Sequence, residues 1–383
     1  MFPRVWGAEA WGQRGFQLVF IGLITMCVAW CGRACAQEES RIRPPTGHVE
    51  ELAAYLPQIE IYEPVVYRHL AVFPMRLRGG DQLRGRWLTM DTALARGVLV
   101  VREKGGGGTV QTVLVENRSR DEYVVLLAGE LLAGGKQTRT VRHDVALAPG
   151  QRIELSVFCV ESHRWEGSAE FSSGRSILPY SIQQELRKGA DQSRIWSEVA
   201  GNNAALGAEN STGSLERALH APPVREKLNV VRGRIEPEIP ADSVGFLFVD
   251  RGRAVGADFF GRADLARALL PKLLDAVCVD FVLKSGAPGA EVDRGGQRQI
   301  AIEFFERIRR AGSQRVATPG SGGGIRTRAE GLLGDGVGME GTLVHYGVHS
   351  EHRFIPLPTP SPRGPRPLPW PVPDSDQPPP ERR

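Results

Sequence analysis

The chain has 383 residues, with 48 Lys plus Arg, 44 Asp plus Glu and five Cys. At 41 % hydrophobic and 24 % charged residues, it is neither a wholly disordered chain nor a polytopic membrane protein. A net charge of +4 is too small to argue for a nucleic-acid binder, and the length suggests about two or three domains.

The first 36 residues read as an export signal. Arg4 and Arg14 carry positive charge, and Phe16 to Trp30 is an uncharged run of 15 residues. Ala34-Cys35-Ala36 then places small residues at the −3 and −1 positions before Gln37, the pattern of a cleaved secretory signal. A retained anchor is the alternative, but a membrane span needs about 20 apolar residues. A lipid-attachment signal fits poorly, because Trp30 precedes Cys31 and Gly32 stands where Leu would precede Cys35. Cleavage near Ala36 leaves a net charge of +2 and two cysteines, Cys159 and Cys278. The expected location is periplasmic or secreted, with only transient membrane contact through the signal segment. Cys159 and Cys278 either pair or remain separate buried thiols, and the apolar runs around both favour thiols.

Residues 37–57 are a polar linker with one amphipathic piece, Val49 to Leu56. From 58 to 168 the pattern predicts an antiparallel β unit. A β-branched and aromatic run from Ile59 to Met75 is broken at Pro64 and Pro74. Strands follow at Gly97–Val101, Thr109–Val115, Tyr123–Leu127, Thr138–Leu147 and Ile153–Glu161, separated by turn residues such as Pro149-Gly150. Four glycines at 105–108 read as a hairpin tip, since no Lys-Ser/Thr follows to make a phosphate loop.

Residues 169–355 read as an α+β unit. Ile182–Leu206 has helical spacing, and Glu216–Val231 is helical in pieces around Pro222-Pro223. Val244–Val249 and Ala254–Phe260 form a hairpin. Ala263–Lys284 and Gln297–Arg310 are amphipathic helices, the first containing Pro271. Residues 312–338 hold nine glycines and read as a loop. Gly341–Ile355 closes with one or two strands, expected to join the 244–260 hairpin. The fold class is therefore α+β, an N-terminal antiparallel β unit packed with a C-terminal α+β unit. The tail, 356–383, holds 12 of the 27 prolines and reads as a disordered polyproline segment able to meet a protein partner.

Residues 124–165 carry a long multi-part motif. It comprises Gly129-Glu130, Gly135-Lys136-Gln137-Thr138-Arg139, Pro149-Gly150, Cys159-Val160-Glu161 and Arg164-Trp165. Trp196 and the segment 244–274 add to it. With these residues the chain resembles the ARG and rhodanese-phosphatase-superfamily-associated protein family over roughly 55–356. The resemblance implies no single reaction. The family name records ADP-ribosylglycohydrolase and phosphatase-like associations, which hint at nucleotide or ADP-ribose chemistry.

Two clusters are candidates for ligand binding. Glu130, Lys136, Gln137 and Arg139 lie in and just after a turn. On a strand, Gln137 and Arg139 share one face and Lys136 takes the other. Arg beside an amide suits an anion or a sugar hydroxyl, because Arg presents a planar donor fork and Gln both donates and accepts. The plain alternative is a salt-bridged turn in which Glu130 pairs with Lys136 or Arg139. In the second cluster, Trp165 can stack a planar or sugar ligand while Glu161 and Arg164 orient it. Its alternative is a rim Trp beside a paired Arg and Glu. Convergence of both clusters on one pocket favours the functional reading.

His345, His349 and His352 invite a metal reading, but spacing alone is a weak signal and no metal or cofactor is expected. His143 and His163 qualify for acid–base work by residue type only. The leading function is a non-catalytic module for a small polar or anionic ligand. The alternatives are a hydrolase of a nucleotide, ADP-ribose or phosphoester with Glu130 or Glu161 as base, and a scaffold acting through its proline tail.

Overall fold

The computed structural model describes residues 47–105, 111–283 and 294–351. The export signal, the proline tail, His352 and most of the four-glycine tip lie outside the described residues. The α+β class holds. The chain runs α1 (Glu50–Tyr55), β1 (Ile59–Ile61), β2 (Val65–Tyr67), β3 (Leu70–Leu77), β4 (Arg86–Thr89), α2 (Met90–Ala95), β5 (Leu99–Glu103), β6 (Thr112–Asn117), β7 (Glu122–Leu126) and β8 (Glu130–Gly134). It continues through β9 (Arg139–Val141), β10 (Val145–Leu147), β11 (Arg152–Cys159), β12 (Phe171–Ile177), α3 (Tyr180–Lys188), α4 (Gln192–Ala205), α5 (Leu215–Leu219) and α6 (Pro222–Ile235). It closes with β13 (Gly245–Asp250), β14 (Arg253–Phe260), α7 (Ala263–Cys278), α8 (Arg294–Arg310), β15 (Gln314–Val316), β16 (Gly323–Ala329), β17 (Leu332–Met339) and β18 (Thr342–Ser350).

The expected border at 168 does not separate two sheets. Strands β1 to β3 leave the N-terminal half and join β13 through β3, in a nine-stranded sheet ordered β1-β3-β13-β14-β18-β17-β16-β15 with β2 on β3. Both faces of this sheet are buried, and the two-residue strand period divides its side chains. Leu70, Val72, Phe246 and Phe248 pack on one side, in the cluster that holds the apolar faces of α3 to α7. Ala71, Phe73, Leu247 and Val249 pack on the other, with α1 and α8. As expected, β18 joins the hairpin by pairing with β14. The rest of the N-terminal half forms a six-stranded sheet, β12-β8-β9-β11-β6-β5, and a three-stranded one, β10-β7-β4. Val101, Val113, Val124, Leu132 and Val157 share one core there. One pair departs from the antiparallel expectation, because β4 and β7 run parallel.

Three local expectations change. The helix predicted over 182–206 is two helices. Gly189 ends α3 in the left-handed region at φ 84°, and Asp191 starts α4 by accepting the Arg194 N–H at 2.8 Å. The strand predicted over 138–147 is also two, β9 and β10. The predicted glycine loop, 312–338, is mostly sheet. The glycines within its strands are there for close packing. A side chain at Gly334 would meet the Tyr346 hydroxyl at 2.3 Å, and one at Gly338 would meet Glu51 at 2.7 Å. Among the described residues, no helix is long and apolar enough to cross a membrane.

Candidate functional site

The turn between β8 and β9 brings most of the motif together. The register of β9 against β11 sets Arg139 opposite Cys159. Arg139 is completely buried. Its Nη1 donates to Gln137 Oε1 at 2.9 Å and to Cys159 Sγ at 2.7 Å. Its Nη2 lies 3.7 Å from Glu103 Oε1, at the end of β5. Neither Nη2 nor Nε has a hydrogen-bond partner, and Glu103 Oε2 has none either. Nε and Nη2 form the edge of a guanidinium that grips planar acceptors two at a time. Leaving buried polar atoms unpaired costs roughly 1–3 kcal/mol each.

Trp165 closes the cluster. Its ring lies 5.5 Å from Lys136 Nζ and 5.6 Å from the Arg139 guanidinium. Lys136 was expected on the opposite face from Arg139. Residues 135–138 bend instead of running as a strand, so Lys136 comes round to the same ring. Its backbone N–H donates to Glu103 Oε1 at 2.9 Å. Glu103 was not foreseen, since only its long-range register places it here.

Glu161 and Arg164 form a clamp that holds the turn. Glu161 Oε2 accepts the Thr138 N–H at 2.9 Å, the Thr138 hydroxyl at 3.0 Å and Arg164 Nη2 at 2.7 Å. Its Oε1 accepts Arg164 Nε at 3.0 Å. Arg164 also donates to the carbonyls of Gly135 at 2.9 Å and Gly134 at 3.2 Å. Gly167 permits this approach, because a side chain there would sit 1.9 Å from the Gly135 carbonyl oxygen. Burial alone would raise the Glu161 carboxyl, but Arg164 and Thr138 more than reverse this and hold it at about 2. Burial drives the Cys159 thiol up to about 11 despite Arg139, so it stays neutral. Cys159 and Cys278 are two free buried thiols.

Glu130 is not with the others. It is fully buried at the start of β8. Its Oε1 accepts Lys272 Nζ from α7 at 2.6 Å, and its Oε2 accepts the Leu127 N–H at 2.8 Å. Lys272 also pairs with Asp91 at 2.7 Å. Burial works against a charged lysine, and these two carboxylates reverse it. The partner of Glu130 is thus neither Lys136 nor Arg139 but a residue on a helix far along the chain.

The histidines belong to a separate buried network. His345 lies between two carboxylates, with Nδ1 at 2.6 Å from Asp144 Oδ2 and Nε2 at 3.2 Å from Asp258 Oδ1. Asp144 Oδ1 accepts the Ala128 N–H at 2.7 Å, and Asp258 Oδ2 accepts the Tyr180 hydroxyl at 2.9 Å. Burial lowers a histidine, but Asp144 and Asp258 outweigh it and raise His345 to about 9. His349 stacks on Tyr180 with ring centroids 3.9 Å apart and meets Arg187 Nη1 at 2.9 Å. Their ring nitrogens are therefore engaged within the protein. His143 lines a small cavity with Asp144, Thr318, Arg326 and Asp335, and burial lowers its pKa. His163 is exposed beside the Ser162 hydroxyl. A cavity of about 290 Å³ lies elsewhere, lined by Ile239, Pro240, Phe246, Leu270 and Pro271 among others.

Fold and site together define an α+β protein with a buried arginine–glutamate pair under a tryptophan. The model of the ARG and Rhodanese-Phosphatase-superfamily-associated Protein domain matches residues 58–349, more than half of the chain. The chain belongs to that family. No curated protein and no solved structure matches it.

Proposed function

We propose that the protein is an exported, non-catalytic module that holds a small polar or anionic ligand against Arg139. The observation that carries this is the unpaired Nε–Nη2 edge of a guanidinium with no exposure to solvent. Gln137 fixes the other side of that guanidinium, and the Glu161–Arg164 clamp fixes the turn. Lys136 and Trp165 are half-buried, and the Trp165 ring lies 5.6 Å from the guanidinium, so these two side chains line the approach to it. Glu130 lies outside the site, tied to Lys272. Export rests on the sequence pattern of residues 1–36 alone.

The hydrolase alternative is weaker on the same geometry. A general base works best with a pKa near the operating pH. Glu161, at about 2, is engaged on both oxygens, and although burial raises Glu130, its two oxygens are taken by Lys272 and the Leu127 N–H. The test is a thermal-shift screen of the mature chain with neutral sugars, carboxylates and phosphates. A ligand at a hundredfold excess over Kd adds about 2.7 kcal/mol, a shift of several degrees. The expected result is a shift in wild type that is lost in Arg139→Lys. A shift that persists in Arg139→Lys would place binding elsewhere.

A further inference from the structure

We infer that the ligand is a neutral polyol, gripped through two adjacent hydroxyl groups, and that Glu103 selects it against anions. This rests on the binding reading above and deepens it. Three unpaired buried atoms define what the ligand must offer: Arg139 Nε and Nη2 are donors, and Glu103 Oε2 is an acceptor. The ligand must therefore accept from the arginine and donate to the glutamate in one small space. A carboxylate accepts only. Inorganic phosphate keeps a P–OH near neutral pH that could donate, so charge and not hydrogen bonding must exclude it. A hydroxyl both accepts and donates, so a vicinal pair serves both sides at once.

Charge points the same way. Glu103 lies 3.7 Å from Arg139 and Glu161 pairs with Arg164 at 2.7 Å, so both inner pairs are neutral, and a further cation, Lys136, sits out at the Trp165 ring. An incoming anion meets a carboxylate with a side-chain exposure of 3 % beside the guanidinium that would bind it. Like charges that close in a buried site are unfavourable. Trp165, half-buried over the same arginine, offers an apolar ring to the C–H face of a sugar.

The test is calorimetric titration of the mature wild-type chain with glucose, galactose, arabinose and mannitol, and separately with inorganic phosphate and acetate. The inference predicts that at least one neutral polyol binds and that neither anion does. It also predicts that Glu103→Gln weakens the polyol by on the order of tenfold and lets phosphate bind. Gln keeps an acceptor for the Lys136 N–H, and the unfolding midpoint of the variant checks that it is folded. Arg139-dependent binding of phosphate or acetate but no polyol overturns the inference and leaves the binding site standing. Polyol binding unchanged in folded Glu103→Gln overturns the role of Glu103. No binding by any probe overturns both the inference and the reading it rests on. The wild-type comparison decides the ligand class without any variant.

Discussion

Two buried charged clusters in this protein are built by opposite rules. Around His345 every side-chain atom of the chain Asp144–His345–Asp258–Tyr180 that can hydrogen-bond has a partner. Around Arg139 three polar atoms equally removed from water have none. Burial does not distinguish the clusters, since Arg139 is 0 % exposed and His345 is 2 %. Satisfaction does. A fully paired network stabilises one packing of the core, whereas an unpaired one leaves donors and acceptors that the proposed ligand would satisfy.

The largest expected effect falls on the closed cluster. His345→Phe keeps the volume but leaves Asp144 and Asp258 facing each other without a counter-charge. Breaking a buried pair this way costs about 3–5 kcal/mol. Denaturant unfolding will show it, and a loss under 1 kcal/mol would break the contrast with Arg139.

Next comes pH. The folded state raises the pKa of His345 from 6.5 to about 9. A raised pKa contributes stability that is complete below the unfolded value and is lost as pH climbs through the folded one. The wild type should therefore lose on the order of 3 kcal/mol between about pH 6.5 and 9. The same scan of His345→Phe should be flatter by that amount. A parallel scan in both proteins would remove His345 as the cause.

A smaller effect is expected at the clamp. Gly167→Ala forces the chain away from the Gly135 carbonyl and should cost about 1–3 kcal/mol. Because that contact orders the 135–138 turn, ligand binding should weaken in the same variant. Unchanged binding would separate the clamp from the site.

The contrast also explains what was legible in the sequence. The motif picked out Lys136, Gln137 and Arg139 in one cluster and Glu161, Arg164 and Trp165 in another, because a turn brings nearby residues together, but that the two meet follows only from the pairing of β9 with β11. Glu130 went astray for the complementary reason. Its partner, Lys272, is on α7 and nothing local announces it. Glu103 and the Asp144–His345–Asp258 chain were missed alike, since each depends on which strands end side by side. The hairpin at 245–260 and its pairing with β18 were readable from continuous apolar runs, which mark a strand covered on both faces. The glycines of 312–338 misled because turn and close approach demand the same residue. Only the packing of Tyr346 and Glu51 against Gly334 and Gly338 separates the two.

The most direct test compares stabilities. Arg139→Met combined with Glu103→Gln removes the open cluster while keeping its bulk and the acceptor for the Lys136 N–H. Replacing a buried ion pair by well-packed neutral groups of similar volume is often neutral or stabilising. Equilibrium unfolding in denaturant should give a free energy within about 1 kcal/mol of wild type, or higher. A loss of about 3 kcal/mol or more, the penalty expected at His345, would mean that Arg139 and Glu103 hold the fold together and are not reserved for a ligand.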